Sequence, residues 1–141
     1  MLYWHTMGDC IFCKIIRGEL PATKVYEDEQ CVAFLDIHPT APGHTLVVPK
    51  THGEDLLGCA PEAAASMIKA AQKIAPAIAK ATGAEGFNLG VNNGRAAGQI
   101  IFHLHMHIIP RRSDDGLKSW GHRDYAEGEM VRIADQIRAR L

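Results

Sequence analysis

The chain has 141 residues, a formal net charge of −1, and 47% hydrophobic against 22% charged residues. That length suits one domain with a real core and is too short for two ordinary ones, and the balance is that of a folded globular protein. A net charge so close to zero excludes a large electrostatic footprint for nucleic acid or anionic membrane. No apolar run reaches the roughly 20 residues a membrane helix needs, so the expected partners are small molecules or other proteins.

Residues 1–8 lack the charged start and apolar stretch of a signal peptide. They read as an N-terminal extension ahead of a single domain over 9–141. With no export signal the expected compartment is the cytoplasm, where disulfides do not persist. Among the cysteines, Cys31 and Cys59 read as ordinary small residues, whereas Cys10 and Cys13 form a Cys-x-x-Cys pair, by itself a weak signal for metal or redox chemistry.

In chain order, Asp9 to Arg17 predicts a short helix ending near Gly18. Lys24 to Asp28 and Gln30 to Asp36 predict two short strands around a turn at Asp28-Glu29. Ile37 to Gly43 holds two prolines and a glycine and is a loop. Thr45 to Pro49 predicts a buried strand. A helix follows, with Pro61 in its first turn and Gly83 as its stop. Ala64, Met67, Ile68, Ala71, Ile74, Ala75 and Ile78 recur at helical spacing, and Pro76 inside the pattern is expected to kink or split the helix. Phe87 to Val91 predicts a strand, Asn93 to Gln99 a glycine-bounded loop, and Ile100 to Ile109 a further strand. A polar segment, Pro110 to Arg123, leads to a final amphipathic helix with Met130, Ala134, Ile137 and Leu141 on one stripe. The order is that of an α+β domain.

The segment from Ile100 to Ile109 carries the chemistry. Side chains alternate between the faces of a strand, so Ile100, Phe102, Leu104, Met106 and Ile108 share an apolar core face. His103, His105 and His107 share the other face. Three imidazoles in strict alternation point to catalysis at phosphate or to a metal site, and spacing alone leaves both open.

With these residues the chain resembles the histidine-triad superfamily, whose signature is His-x-His-x-His followed by two apolar residues. The resemblance extends to Asp9-Cys10-Ile11-Phe12-Cys13-Lys14-Ile15-Ile16, which looks like the N-terminal motif of the branch of histidine-triad nucleotide-binding proteins. It includes Phe34-Leu35-Asp36-Ile37 with Pro39, Pro42-Gly43-His44, Val47 through His52, Val91 through Gly94, and Ala97-Gly98-Gln99, and so covers roughly residues 9–112.

The resemblance implies a five-stranded antiparallel sheet with flanking helices, extended by dimerisation through the long helix and the strand before it. It implies substitution at the α-phosphorus of purine nucleoside phosphoramidates, adenylates or dinucleoside polyphosphates, with an AMP-type substrate. His105 would be the nucleophile, forming a nucleotidyl-histidine intermediate while its other ring nitrogen bonds a main-chain carbonyl. His107 would donate to a phosphate oxygen or the leaving group, and His103 would orient or ligate. Asp36, by itself a turn aspartate, would accept the ribose hydroxyls. Phe12, Phe34 and Ile37 would wall the base. Asn92 and Gln99 would hold phosphate or ribose oxygens, and backbone N–H groups from Gly94 to Gly98 would approach phosphate. Several relatives carry Ser or Thr where this chain has Ile100, so a leaving-group contact is missing. The family also includes nucleotide-binding or protein-interaction modules with weak or no turnover, and a small zinc-stabilised adaptor is a third reading.

Members with the cysteine pair bind zinc, which implies a structural site of Cys10, Cys13, His52 and His103 and no organic cofactor. His5, His38, His44 and His122 are assigned no ligand role, His44 matching a family position with a structural implication only. Arg111, Arg112, Lys118 and Trp120 are candidates for a second phosphate or the base.

Overall fold

The computed structural model describes residues 9–116 and 122–141. Lys118 and Trp120, and the N-terminal extension with His5, lie outside them. In order come α1 (Ile11–Ile16), β1 (Lys24–Glu27), β2 (Cys31–Leu35), β3 (Thr45–Pro49), α2 (Pro61–Thr82), β4 (Gly86–Gly90), β5 (Met106–Arg111) and α3 (Glu129–Arg138). The five strands form one antiparallel sheet in the order β1-β2-β3-β5-β4. Among the described residues no helix is long and apolar enough to cross a membrane.

Local chemistry explains most of these elements. The Asp28 carboxylate accepts the backbone N–H groups of Gln30 and Cys31, each at 2.7 Å, and this closes the β1–β2 hairpin. β2 is buried along its whole length because both faces of the sheet are covered. Cys31, Ala33 and Leu35 face α2 and α3, in a core with Val47, Ile74, Ile78 and Ile137. Val32 and Phe34 face the other way, with Leu46 and Val48, against Phe12, Cys13 and Ile15 of α1. The sheet is thus sandwiched, with the short helix α1 on the face that will carry the histidines.

α2 starts on Pro61 and ends at Gly83, whose φ of 71° and N–H bond to the Ala79 carbonyl make a left-handed cap. Pro76 does not split it. The proline lies on the exposed side while Ile74, Ala75, Ala77 and Ile78 around it are buried. The carbonyl released by the missing N–H therefore faces water, and packing holds both halves in line.

Two expectations change. The strand predicted over Ile100 to Ile109 begins only at Met106. Pro49, at the end of β3, has no N–H to give, and its carbonyl accepts the His103 side chain at 2.8 Å rather than a backbone donor. The Leu104 N–H turns instead to the Gly53 carbonyl at 2.8 Å. Strand parity therefore holds for Met106, His107 and Ile108, but Ile100 is 78% exposed and belongs to no core face. The dimer surface is the second change. β3, the strand before the long helix, is paired on both sides and has no edge to offer another chain. The open edges are β1 and β4, and β4 presents Phe87 and Leu89 to solvent.

Gly43, directly before His44, has a φ of +91°, and a Cβ there would lie 2.6 Å from the Thr82 methyl. Gly43→Ala is expected to cost about 2 kcal/mol, read from the midpoint of urea unfolding. A change within about 0.5 kcal/mol would show that the turn relaxes freely.

Candidate active site

The irregular stretch between Gln99 and Met106 places the first two triad histidines. His103 is fully buried and His105 nearly so. The His105 Nδ1 lies 2.7 Å from the His103 carbonyl oxygen. A carbonyl only accepts, so Nδ1 carries the proton and Nε2 carries the lone pair. Burial lowers the His105 pKa from its ordinary 6.5, against the raising effects of this hydrogen bond and of Asp36. The ring is held neutral, which is the state a nucleophilic imidazole requires. The Phe12 ring stands edge-on to it at 5.1 Å.

The third triad histidine is set by a residue that the motif does not contain. The Thr40 N–H donates to His44 Nδ1 at 2.9 Å, so a neutral His44 carries its proton on Nε2. That nitrogen lies 2.9 Å from His107 Nδ1. His44 therefore donates to His107, whose own proton must sit on Nε2. The His105 and His107 rings are 5.0 Å apart. Burial drives the His44 pKa down to about 4, against Asp36, and that of His107 down to about 3, with His105 and His44 adding to the effect. Both rings are hydrogen-bond donors at neutral pH rather than cations. His44 is 1% exposed, and its part is to orient His107.

A cleft of about 950 Å³ opens over these rings. His105, His107, Asp36, Ile37, Phe12, Phe34, Asn92 and Gly98 all line it, and so do Ile100, Ile101, His38 and His122. Its walls are mostly aliphatic and aromatic, with a few polar groups at the histidine end. Asp36 Oδ1 accepts the His38 N–H at 2.9 Å, so the turn role is real, and Oδ2 lies 3.7 Å from His44 Nε2. Gly98 has a φ of +94°, and a Cβ there would meet the Asn92 amide at 3.5 Å.

Gln99 is placed differently from an amide aimed at phosphate. It is 3% exposed, and its side chain accepts the Gly94 N–H at 2.8 Å and donates to the Glu54 and Ile101 carbonyls at 2.6 and 3.0 Å. It shapes the loop beside the cleft instead of lining it. Arg111 bonds Asp115 and Asn88, Arg112 pairs with Asp114, and neither arginine lines the cleft.

Behind the cleft, Cys10, Cys13, His52 and His103 offer four ligand atoms within 4.8 Å of one another. His103 gives its Nε2 proton to the Pro49 carbonyl, so its Nδ1 lone pair faces Cys10 Sγ at 3.3 Å, Cys13 Sγ at 3.6 Å and His52 Nδ1 at 3.1 Å. Two sulfurs and two ring nitrogens converging in this way fit a tetrahedral thiolate and imidazole metal site.

Residues 17–114 match the HIT domain model. The chain belongs to the HIT domain family. It is 53% identical over 110 residues to the adenylylsulfatase HINT3 of Arabidopsis thaliana, covering 78% of this chain and 56% of that longer relative. It is 46% identical to Protein hit of Bacillus subtilis over 97% of both chains. Among solved HIT structures, a zinc-bound histidine triad family protein from Mycobacterium smegmatis superposes with a TM-score of 0.86 at 39% identity, covering 95% of this chain and 94% of that one. A hypothetical histidine triad nucleotide-binding protein from Sulfolobus tokodaii gives 0.78 at 40% identity over 92% and 93%.

The tautomer chain through this HIT site is directly measurable. Burial disfavours the charged forms, so the pKa values move down, and lowering the pH from 7 to 5 should leave His44 and His107 neutral. Ring nitrogen NMR shifts should read both as Nε2-protonated throughout. A His107 that charges near its ordinary 6.5 contradicts the arrangement.

Proposed function

We propose that the chain is a nucleotide hydrolase or transferase acting at the α-phosphorus of purine nucleoside phosphoramidates, adenylates or dinucleoside polyphosphates. The observation that carries this reading is the His105 Nδ1–H bond to the His103 carbonyl, which leaves Nε2 as a neutral lone pair in a nucleotide-sized cleft. The similarity to an adenylylsulfatase and to a histidine triad nucleotide-binding protein supports it.

In this reading His105 Nε2 attacks the α-phosphorus, the leaving group departs, and water then releases the nucleoside monophosphate from the nucleotidyl-histidine. His107, oriented by His44, donates its Nε2–H to a phosphate oxygen. Asp36 Oδ2 accepts a ribose hydroxyl, since Oδ1 is engaged by the His38 N–H. Phe12, Phe34 and Ile37 wall the base, and Asn92 with the Gly98 backbone borders the phosphate. Few polar groups reach the base in such a slot, so selectivity for the base is loose, with purines favoured by contact area.

The test is turnover of an AMP-amine phosphoramidate, a diadenosine polyphosphate and adenylylsulfate. His105→Ala should lower kcat by about 10³-fold or more on all of them, and wild type quenched in alkaline denaturant should yield a nucleotidyl adduct on His105. Turnover surviving in the variant removes the nucleophile. AMP binding without any turnover favours a nucleotide-binding module instead.

We also infer that Cys10, Cys13, His52 and His103 hold a zinc ion, as the zinc-bound Mycobacterium smegmatis relative supports. With four protein ligands it has no open position, and it ties α1 to the chain that carries His105. Elemental analysis should give about one zinc per chain. The Cys10→Ser, Cys13→Ser double variant should lose it and melt at lower temperature; undiminished zinc in that variant would refute the site. A homodimer, if it forms by sheet extension, would use the open β4 edge with Phe87 and Leu89.

A further inference from the structure

Protonation of the leaving group is the step that the buried histidines do not serve. His44 has its Nε2–H in the bond to His107, and His107 stays neutral, so releasing its Nε2 proton would create an imidazolate. Asp36 is an acceptor and Asn92 a neutral amide. Ile100, 78% exposed at the rim, has no hydroxyl. An amine leaving phosphorus without a proton is a very poor leaving group, whereas sulfate departs as a stable anion.

We propose that His122 is the residue that serves the leaving group, delivering a proton to it at the rim of the cleft. This rests on the hydrolase reading above and goes beyond the triad. His122 is exposed and lines the same cleft as His105, His107 and Asp36. Its place is built rather than incidental. Its Nδ1 donates to the His38 carbonyl at 3.0 Å, the Arg123 N–H donates to the Pro39 carbonyl at 3.0 Å, and the Tyr125 hydroxyl accepts the Gly43 N–H at 3.1 Å. These three bonds sew the segment onto the loop between Asp36 and His44. With the Nδ1 proton committed to a carbonyl, Nε2 is the ring nitrogen through which the proposed transfer runs. His122 lines the cleft together with His44 and His107. Neighbouring Arg123 pairs with Glu129 at 3.5 Å and does not release a proton near neutrality.

The step balances. The His105 Nε2 lone pair forms a bond to phosphorus. The phosphorus–nitrogen bond of the phosphoramidate breaks, its electron pair stays on the departing nitrogen, and that nitrogen takes the Nε2 proton of charged His122. The amine leaves neutral, and so is His122. When water attacks the nucleotidyl-histidine, the electron pair of the phosphorus–nitrogen bond returns to His105, the proton of the attacking water passes to bulk solvent, and His122 regains its own proton from solvent.

The experiment compares wild type, His122→Ala, His122→Gln and His38→Ala on one nucleotide with two leaving groups, an alkylamine phosphoramidate of AMP and adenylylsulfate. In both His122 variants kcat on the phosphoramidate should fall about a hundredfold, with KM little changed. The loss on adenylylsulfate should be at least about tenfold smaller, and the same assay confirms a folded site. Added imidazole should restore part of the phosphoramidate rate in His122→Ala. Equal losses on both leaving groups, no loss on the phosphoramidate, or a leaving-group-dependent loss found in His38→Ala instead would each overturn the role of His122. So would a wild type that cleaves adenylylsulfate but not the phosphoramidate; in all four cases the hydrolase reading stands. A wild type that binds AMP and cleaves neither compound ends the hydrolase reading, and this proposal with it.

Discussion

The site depends on how His103 spends its polar groups. Its ring Nε2–H goes to the Pro49 carbonyl, its ring Nδ1 faces the two cysteines and His52, and its own carbonyl takes the His105 Nδ1 proton. A single buried residue thus connects the end of β3, the cysteine pair at the start of α1 and His105. Continuing the β5 strand back through residue 103 would direct that carbonyl into a sheet ladder. The loss of ladder pairing ahead of Met106 is what makes it available to His105. A neutral, correctly protonated imidazole follows from that irregularity.

Burial supplies the second half of the chemistry. His44, His105 and His107 sit in contact with one another, and taking imidazoles out of water disfavours their cations. The Thr40 N–H then decides the proton positions of His44 and His107, because it occupies the acceptor nitrogen of His44, while the His103 carbonyl sets that of His105. The cluster is therefore neutral, with a lone pair on His105 and N–H donors on His44 and His107. Exposed groups at the rim, on the segment after β5, have a different environment and suit a different task.

The chain belongs to the HIT family, and its sheet superposes on that of a zinc-bound member. The two sides of the catalytic segment are stabilised by different means. One side packs Leu104, Met106 and Ile108 against α2 by apolar contact, and the other is gripped by a cluster of sulfur and nitrogen ligands. The cleft opens over the His105 and His107 rings and is otherwise lined largely by aliphatic and aromatic side chains.

Much of this was legible in the chain itself. The apolar runs at Cys31–Leu35 and Thr45–Pro49, the proline and glycine that bound α2, and the alternation of Met106, His107 and Ile108 are local signals, and local backbone chemistry dictates them. The triad pattern with its flanking motifs likewise singled out His105 and, through the family resemblance, Cys10, Cys13, His52 and His103, whose side chains the fold brings together. Tertiary structure alone decided where β5 begins, that His44 stands behind His107 from 63 positions away, that the Gln99 amide is consumed inside its loop, and that His122 reaches the cleft. The reason is physical. Periodicity and turn residues report what a segment does with its own backbone, whereas the partner of a buried polar side chain is chosen by whichever distant segment the fold brings against it.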